Sequence, residues 1–287
     1  MLVTPAPFIL GVGRSGTTLL RLMLDAHPDL AIPPETHFLP LIGESAGNPD
    51  VFARLIVESD TWPNFGLSAD VFRGALKALQ PFDVTEATRI FYRLYAQRFG
   101  KRHWGDKTPP YRRHLRHIFR LVPEAYFIHV IRDGRDVAIS YRGLWFGPGD
   151  NIEEQARFWV AEITGAKDQA RDVPQYLEVR YEELVAEPEK TLRTVCKNLQ
   201  LTYAPVMLDY YRSADARMAE YVAPFGPVES RPKTAEPYRL IHARTVLPPD
   251  PSRIGRWRAE LPEADQTRYD AIAGPLLKEL GYETRCC

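Results

Sequence analysis

Residues 9–20 read Ile-Leu-Gly-Val-Gly-Arg-Ser-Gly-Thr-Thr-Leu-Leu, and the fold turns on them. An apolar strand runs into Gly11, Val12, Gly13, Arg14, Ser15, Gly16, Thr17 and Thr18. An apolar helical pattern follows through Leu19, Leu22 and Met23. Strand, glycine-rich turn and helix make the layout that cradles a phosphate. The glycines let the backbone approach closely, and the first amides of the helix point at an anion. The spacing from Gly11 to Gly16 matches a P-loop, but Thr17 stands where that loop carries Lys, and Arg14 is the nearby cation. Arg14, Ser15, Thr17 and Thr18 concentrate polar donors where a phosphate-like group needs them, which separates the segment from a plain strand-to-helix turn.

Outward from this turn the pattern alternates. Apolar runs at 8–12, 30–32, 125–131 and 176–180 predict strands, and periodic stretches at 17–26, 135–144, 152–171 and 189–199 predict helices. Such alternation predicts an α/β fold, a doubly wound parallel sheet with helices on both faces, in one domain over 1–287. Residues 43–105 carry mixed helical periods and read as a helical insertion over one end of the sheet. Residues 204–251 hold Pro224, Pro227, Pro232, Pro237, Pro248, Pro249 and Pro251, which disfavour a long regular element and suggest a lid or substrate loop. A last helix is expected at 264–280.

The chain has 287 residues, and 37 Lys+Arg balance 37 Asp+Glu. That balance gives no reason to expect a nucleic-acid partner. Local charge is uneven: Arg98, Lys101, Arg102, His103, Lys107, Arg112, Arg113 and Arg116 form a basic stretch, read as a solvated helix face. Cys196 lies in an apolar helical pattern, and with Cys286 and Cys287 it makes no disulfide framework or metal-ligand spacing. No run is long and apolar enough to predict a membrane span. A cytoplasmic setting is the expectation, and a homodimer stays open.

A second anion site is expected at 125–141, where a buried strand ends at Arg132, turns at Asp133 and Gly134, and enters a helix carrying Ser140. Arg132 then emerges at the carboxyl edge of the sheet, where open α/β folds bind ligands. Asp133 is also a natural helix cap. Together, Gly11–Thr18 and Arg132…Ser140 resemble the sulfotransferases that use 3′-phosphoadenosine 5′-phosphosulfate (PAPS) and release adenosine 3′,5′-bisphosphate (PAP). The resemblance is greatest toward tyrosylprotein sulfotransferases and related bacterial enzymes. It implies that Gly13, Arg14, Ser15, Gly16, Thr17 and Thr18 hold the 5′-phosphosulfate, and that Arg132 and Ser140 hold the 3′-phosphate. Glu35-Thr36 resembles the segment with that family's catalytic Glu, and Asp106-Lys107-Thr108-Pro109 the segment with its catalytic Lys. Tyr181 in Val179–Leu184 matches the junction whose Tyr reaches the nucleotide, and Arg256 in Gly255-Arg256-Trp257 the basic residue closing on the 3′-phosphate.

Sulfuryl transfer needs cations and amides aimed at the leaving phosphate, and no metal. The resemblance gives this to Arg14 and Lys107 and gives the base to Glu35, with His37 as the rival base or an acceptor contact and Thr108 beside the acceptor. His37 stands where the tyrosylprotein enzymes tend to carry a substrate-binding Arg. The acceptor is expected to be a hydroxyl, with a tyrosine peptide or another phenol ahead of a carbohydrate, lipid or small-molecule alcohol. A P-loop kinase or NTPase, and a non-catalytic nucleotide-binding module, are the competing readings. Trp257 reads as a core anchor.

Overall fold

A computed structural model of the protein describes residues 4–43, 46–223, 232 and 234–284. Pro224, Pro227, Cys286 and Cys287 therefore lie outside the described residues.

The phosphate-cradle segment folds as strand β1 (Ala6–Gly11), the glycine turn, and helix α1 (Thr17–Asp25). Strand β2 (Leu30–Ala31) follows, then α2 (Pro49–Val57), α3 (Ala69–Ala78) and α4 (Val84–Gln97). Next come β3 (His103–Trp104), β4 (Asp106–Lys107), α5 (Leu115–Leu121), β5 (Ala125–Ile131), α6 (Gly134–Tyr141) and α7 (Ile152–Ala170). The chain continues through β6 (Tyr176–Arg180), α8 (Tyr181–Ala186), α9 (Pro188–Asn198), α10 (Tyr211–Met218), α11 (Glu236–Ile241), α12 (Trp257–Glu260) and α13 (Glu263–Glu279). The main sheet is parallel, in the order β4-β1-β5-β6, with Phe8 opposite both Asp106 and Phe127. The expected α/β fold is therefore present.

Strand alternation explains the layering. Phe8, Leu10 and Phe127 face one core, shared with Phe38, Phe52, Phe91 and Tyr92. Ile9, Ile128 and Val130 face the other, against Leu20, Met23 and Leu24 of α1 and Leu184 and Val195 of α8 and α9. Cys196 and Trp257 are buried, as their patterns suggested.

Two expectations need correction. The second strand does not join the main sheet: Leu30–Ala31 pairs with His103–Trp104 instead. Residues 103–107 form one extended segment bent at Gly105, which serves β2 on one side and β1 on the other. Gly105 must be glycine because of the close approach of β1: a Cβ there would lie 2.6 Å from the Pro7 carbonyl oxygen. Two-residue strands are too short to show alternation, so the sequence hid them. The basic stretch is not a solvated helix face either. It starts at the C-cap of α4 and runs through this extended segment into α5, and its arginines are paired: Arg102 with Asp29, Arg112 and Arg113 with Glu162, and Arg116 with Asp168 and Asp172. The described part of the proline-rich stretch holds short helices and no long element, with α10 and α11 either side of the residues not described.

Candidate active site

The glycine turn is the first wall of the site. Gly16 caps α1 with φ 95°, and a Cβ there would sit 2.4 Å from Cδ2 of Tyr181, whose ring packs against the turn. Arg14 also takes a left-handed φ, 71°. Such a conformation is uncommon for a non-glycine residue and is typical of functional turns. It lets one nitrogen of Arg14, Nη2, donate to the Ile241 carbonyl at 2.9 Å, while Nε is buried and unpartnered.

Arg132 leaves the end of β5 as the strand predicted. Its guanidinium lies 4.3 Å over the Tyr181 ring and donates to the carbonyls of Arg14 at 3.2 Å and Arg253 at 2.8 Å. Ser140 Oγ is 3.5 Å from Nη1, and Nε of Arg132 is again unpartnered. Three buried donors thus lack a partner around one turn: Arg14 Nε, Ser15 Oγ and Arg132 Nε. Buried donors are costly to leave unmade, so this cluster calls for an acceptor-rich anion. The cleft beside it is lined by Arg14, Gly16, Thr17, Thr18, Arg132, Ser140 and Tyr181. Ile241, His242, Arg244 and Arg253 line it as well. Burial, then the charges of Arg256, Arg244 and Arg132, pull the Arg253 guanidinium below its ordinary pKa. Cations held together this way favour a multiply charged ligand, and the N-terminus of α1 adds to the field.

The second wall is built by two extended segments lying side by side. Thr36 N donates to Thr108 Oγ1 at 3.0 Å, and Thr36 Oγ1 donates to Asp106 Oδ2 at 2.7 Å. Tyr92 donates to the same Asp106 oxygen at 2.9 Å. With Thr36, Asp106 and Thr108 turned to one side, their neighbours Glu35 and Lys107 meet on the other, as period-two alternation requires. Lys107 Nζ donates to Glu35 Oε1 at 2.5 Å, and both side chains are buried. His37, with φ 57°, places Nε2 at 3.1 Å from Glu35 Oε2. Tyr238 donates to Glu35 Oε1 at 2.7 Å, and Tyr221 stands 3.4 Å from Lys107 Nζ. Burial alone would raise the Glu35 carboxyl, but Lys107 and His37 outweigh it and hold the group well below the usual carboxylate range. Burial, then Arg14 and Lys107, push the His242 imidazole well below its ordinary value, so it stays neutral.

Arg14, Gly16, Thr17, Thr18, Arg132, Ser140 and Tyr181 therefore gather at the cleft, with Ser15 buried in the turn beneath them, while Glu35, His37 and Lys107 gather beside it. Gly13 lies in the same turn, under the Tyr141 hydroxyl. Two expected residues stand elsewhere. Thr108 is fully buried and bonded to Thr36, so it supports Glu35 from behind and offers no face to an acceptor. Arg256 does not line the cleft; it pairs with Glu260 one helical turn on, at 2.5 Å. Arg253 of the same loop takes the place. Tyr221, Tyr238 and His242 were missed as site residues. The segment that supplies them stands out in the sequence for its prolines, and neither spacing nor periodicity sets these aromatics apart from core residues.

The sulfotransferase family model matches residues 5–205, and the chain belongs to that family. It is 30% identical to nodulation protein NoeE of Sinorhizobium fredii, over 98% of this chain and 67% of that one. It is 27% identical to protein-tyrosine sulfotransferase 1 of Danio rerio, over 97% of this chain and 72% of the other. The solved sulfotransferase domain of the Synechococcus PCC 7002 olefin synthase superposes with a TM-score of 0.58 at 26% identity. That match covers 97% of this chain and 95% of the other.

Proposed function

We propose that this sulfotransferase takes its sulfuryl group from PAPS and delivers it to a phenolic hydroxyl, such as a peptide tyrosine, with Glu35 as the base. One observation carries the reading: a cleft of unpartnered buried donors adjoins a buried carboxylate–ammonium pair, and Ile241–His242 borders both. The residues fit the donor. Arg14, Ser15, Thr17, Thr18 and the turn amides suit its 5′-phosphosulfate, and Arg132, Ser140 and Arg253 suit its 3′-phosphate. Tyr181 supports the turn and Arg132 beneath the nucleotide. When bound, the donor supplies a sulfuryl group on a phosphate leaving group.

The remaining work falls to the chain. Arg14 and Lys107 offset charge growing on the leaving oxygen, a role that needs preorganised cations in a dry site. Glu35 accepts the acceptor's proton at a carboxylate that stays ionised throughout neutral pH. A carboxylate held this low is a weak base, so the acidity of the acceptor matters. A phenol, with pKa about 10, meets that demand better than an alkyl alcohol. Lys107 also stabilises the phenolate oxygen as it forms. The protein-tyrosine sulfotransferase relatives support the same acceptor class.

Calorimetry should give tight binding of PAP and no comparable binding of ATP with or without Mg²⁺. The reverse preference would overturn the donor assignment and favour a kinase. A donor-limited assay against tyrosine peptides, simple phenols and sugar alcohols should rank the phenols first. Transfer to sugar or alkyl hydroxyls alone would overturn the acceptor assignment and leave the donor site intact.

A further inference from the structure

The acceptor side of the site already holds a phenol from this chain. Tyr238 is buried on α11, and its hydroxyl donates to the same Glu35 oxygen that takes Lys107 Nζ. Its ring is clasped by Tyr221, with centroids 4.5 Å apart, and by His242, at 4.7 Å. One turn further along, Ile241 accepts from Arg14 of the glycine turn and His242 lines the donor cleft. Tyr238 is thus bound to the base as an acceptor hydroxyl would be, and its helix reaches the loop that holds the transferable group. Tyr221 is placed differently, with its hydroxyl toward the Lys107 ammonium.

We propose that Tyr238 is a self-modification site: without an external acceptor, the protein transfers a sulfuryl group from PAPS to its own Tyr238 hydroxyl. This rests on the reading of the site as a PAPS-dependent sulfotransferase. A bond forms between the Tyr238 phenolic oxygen and sulfur, and the bond from sulfur to the 5′-phosphate oxygen breaks. The electron pair leaves on that phosphate oxygen, PAP is released, and the phenolic proton passes to Glu35 Oε1. No oxidant, reductant or further reactant is needed. Because an external phenol must take the same Glu35 oxygen, it has to displace Tyr238, and self-modification competes with external turnover.

The purified full chain, incubated with PAPS alone, should gain one SO₃ per molecule by intact-mass spectrometry. Peptide mapping should place it on Tyr238 in the wild-type chain, so the assignment does not depend on a variant folding. The gain should vanish in Tyr238→Phe and fall steeply when a phenol is added at saturation. No gain, or a gain on another residue, in a preparation that sulfates an external phenol would overturn the proposal. A preparation that binds PAP but sulfates no hydroxyl at all would overturn the functional reading beneath it.

Discussion

The two walls of the site differ in how their polar groups are met. Around the glycine turn, Arg14 Nε, Ser15 Oγ and Arg132 Nε are buried without partners, and burial with the neighbouring arginines pulls Arg253 below its ordinary pKa. At the Glu35 carboxylate the opposite holds, although Oδ1 of Asp106 behind it is buried without a partner. Its two oxygens are taken by Lys107, Tyr238 and His37, and Thr36, Asp106, Thr108 and Tyr92 brace the pair from behind. On the proposed function, one wall is completed by a ligand, whereas the other must be opened by one. Donor affinity should therefore respond directly to the loss of single charges. Acceptor chemistry should respond to the network as a unit, with the non-additivity expected of residues in contact.

The largest effect tests the closed wall. Glu35→Gln keeps the shape and a hydrogen bond for Lys107 but removes the base. Turnover should fall roughly 10²–10⁴-fold, the usual worth of general-base catalysis, with PAP affinity nearly unchanged. If affinity fell as far as turnover, the two walls would not be separable. If His37→Ala abolished turnover while Glu35→Gln stayed near wild type, the base would be His37. The open wall comes next. Arg132→Ala removes a charge-assisted contact and should weaken PAP binding by about 1.5–3 kcal/mol, read by calorimetry on a folded variant. Unchanged affinity would remove Arg132 from the donor site.

The same contrast explains what the sequence could reveal. The open wall is local: a strand, five turn residues and a helix start carry it, and Arg132 is fixed by a long apolar strand with a legible end. Gly16 was readable as a glycine that a turn requires, although the Tyr181 ring that enforces it was not. The closed wall is assembled from residues near 35, 107, 221 and 238, and nothing local links them. Glu35 and Lys107 came from family resemblance, and their pairing came from strands β3 and β4, too short to leave a pattern. Thr108 and Arg256 were misplaced for a related reason. A motif fixes a segment's location but not which of its side chains faces the ligand, and there a one-residue alternation or one helical turn decides.

A smaller effect concerns pH. Lys107 and His37 depress the Glu35 carboxyl against its burial, so its folded pKa lies below the unfolded value of about 4.3. The ionised pair then contributes stability that is fully present above that unfolded value and is lost as pH falls through the folded one. In Lys107→Met, burial is opposed by His37 without the ammonium, and the carboxyl should titrate higher. The acid limb of the kcat/KM profile and the acid-unfolding midpoint should both move to higher pH. Profiles that coincide with wild type would mean that Lys107 does not set the charge on Glu35, and the closed wall would lose its central contact.

The smallest expected effect is none, on removal of divalent metal. A kinase of this general layout holds Mg²⁺ with a carboxylate near the phosphates. Here the carboxylates after β5 are committed to the protein. Asp133 accepts from the Arg135 backbone at 2.9 Å and pairs with its guanidinium at 2.8 Å, and Asp136 accepts from Gly255 N at 2.8 Å and Trp257 N at 3.0 Å. Freeing either would undo the start of α6 or the loop that delivers Arg253. On the proposed function, Arg14, Arg132 and Arg253 carry the charge a metal would bring, and a divalent ion entering the cleft would face their repulsion. Dialysis against EDTA should leave kcat and PAP affinity within assay error of the untreated enzyme. A strict divalent requirement for sulfuryl transfer would mean that the cleft arginines are not what completes the donor, and the contrast between an open and a closed wall would fail at its open side.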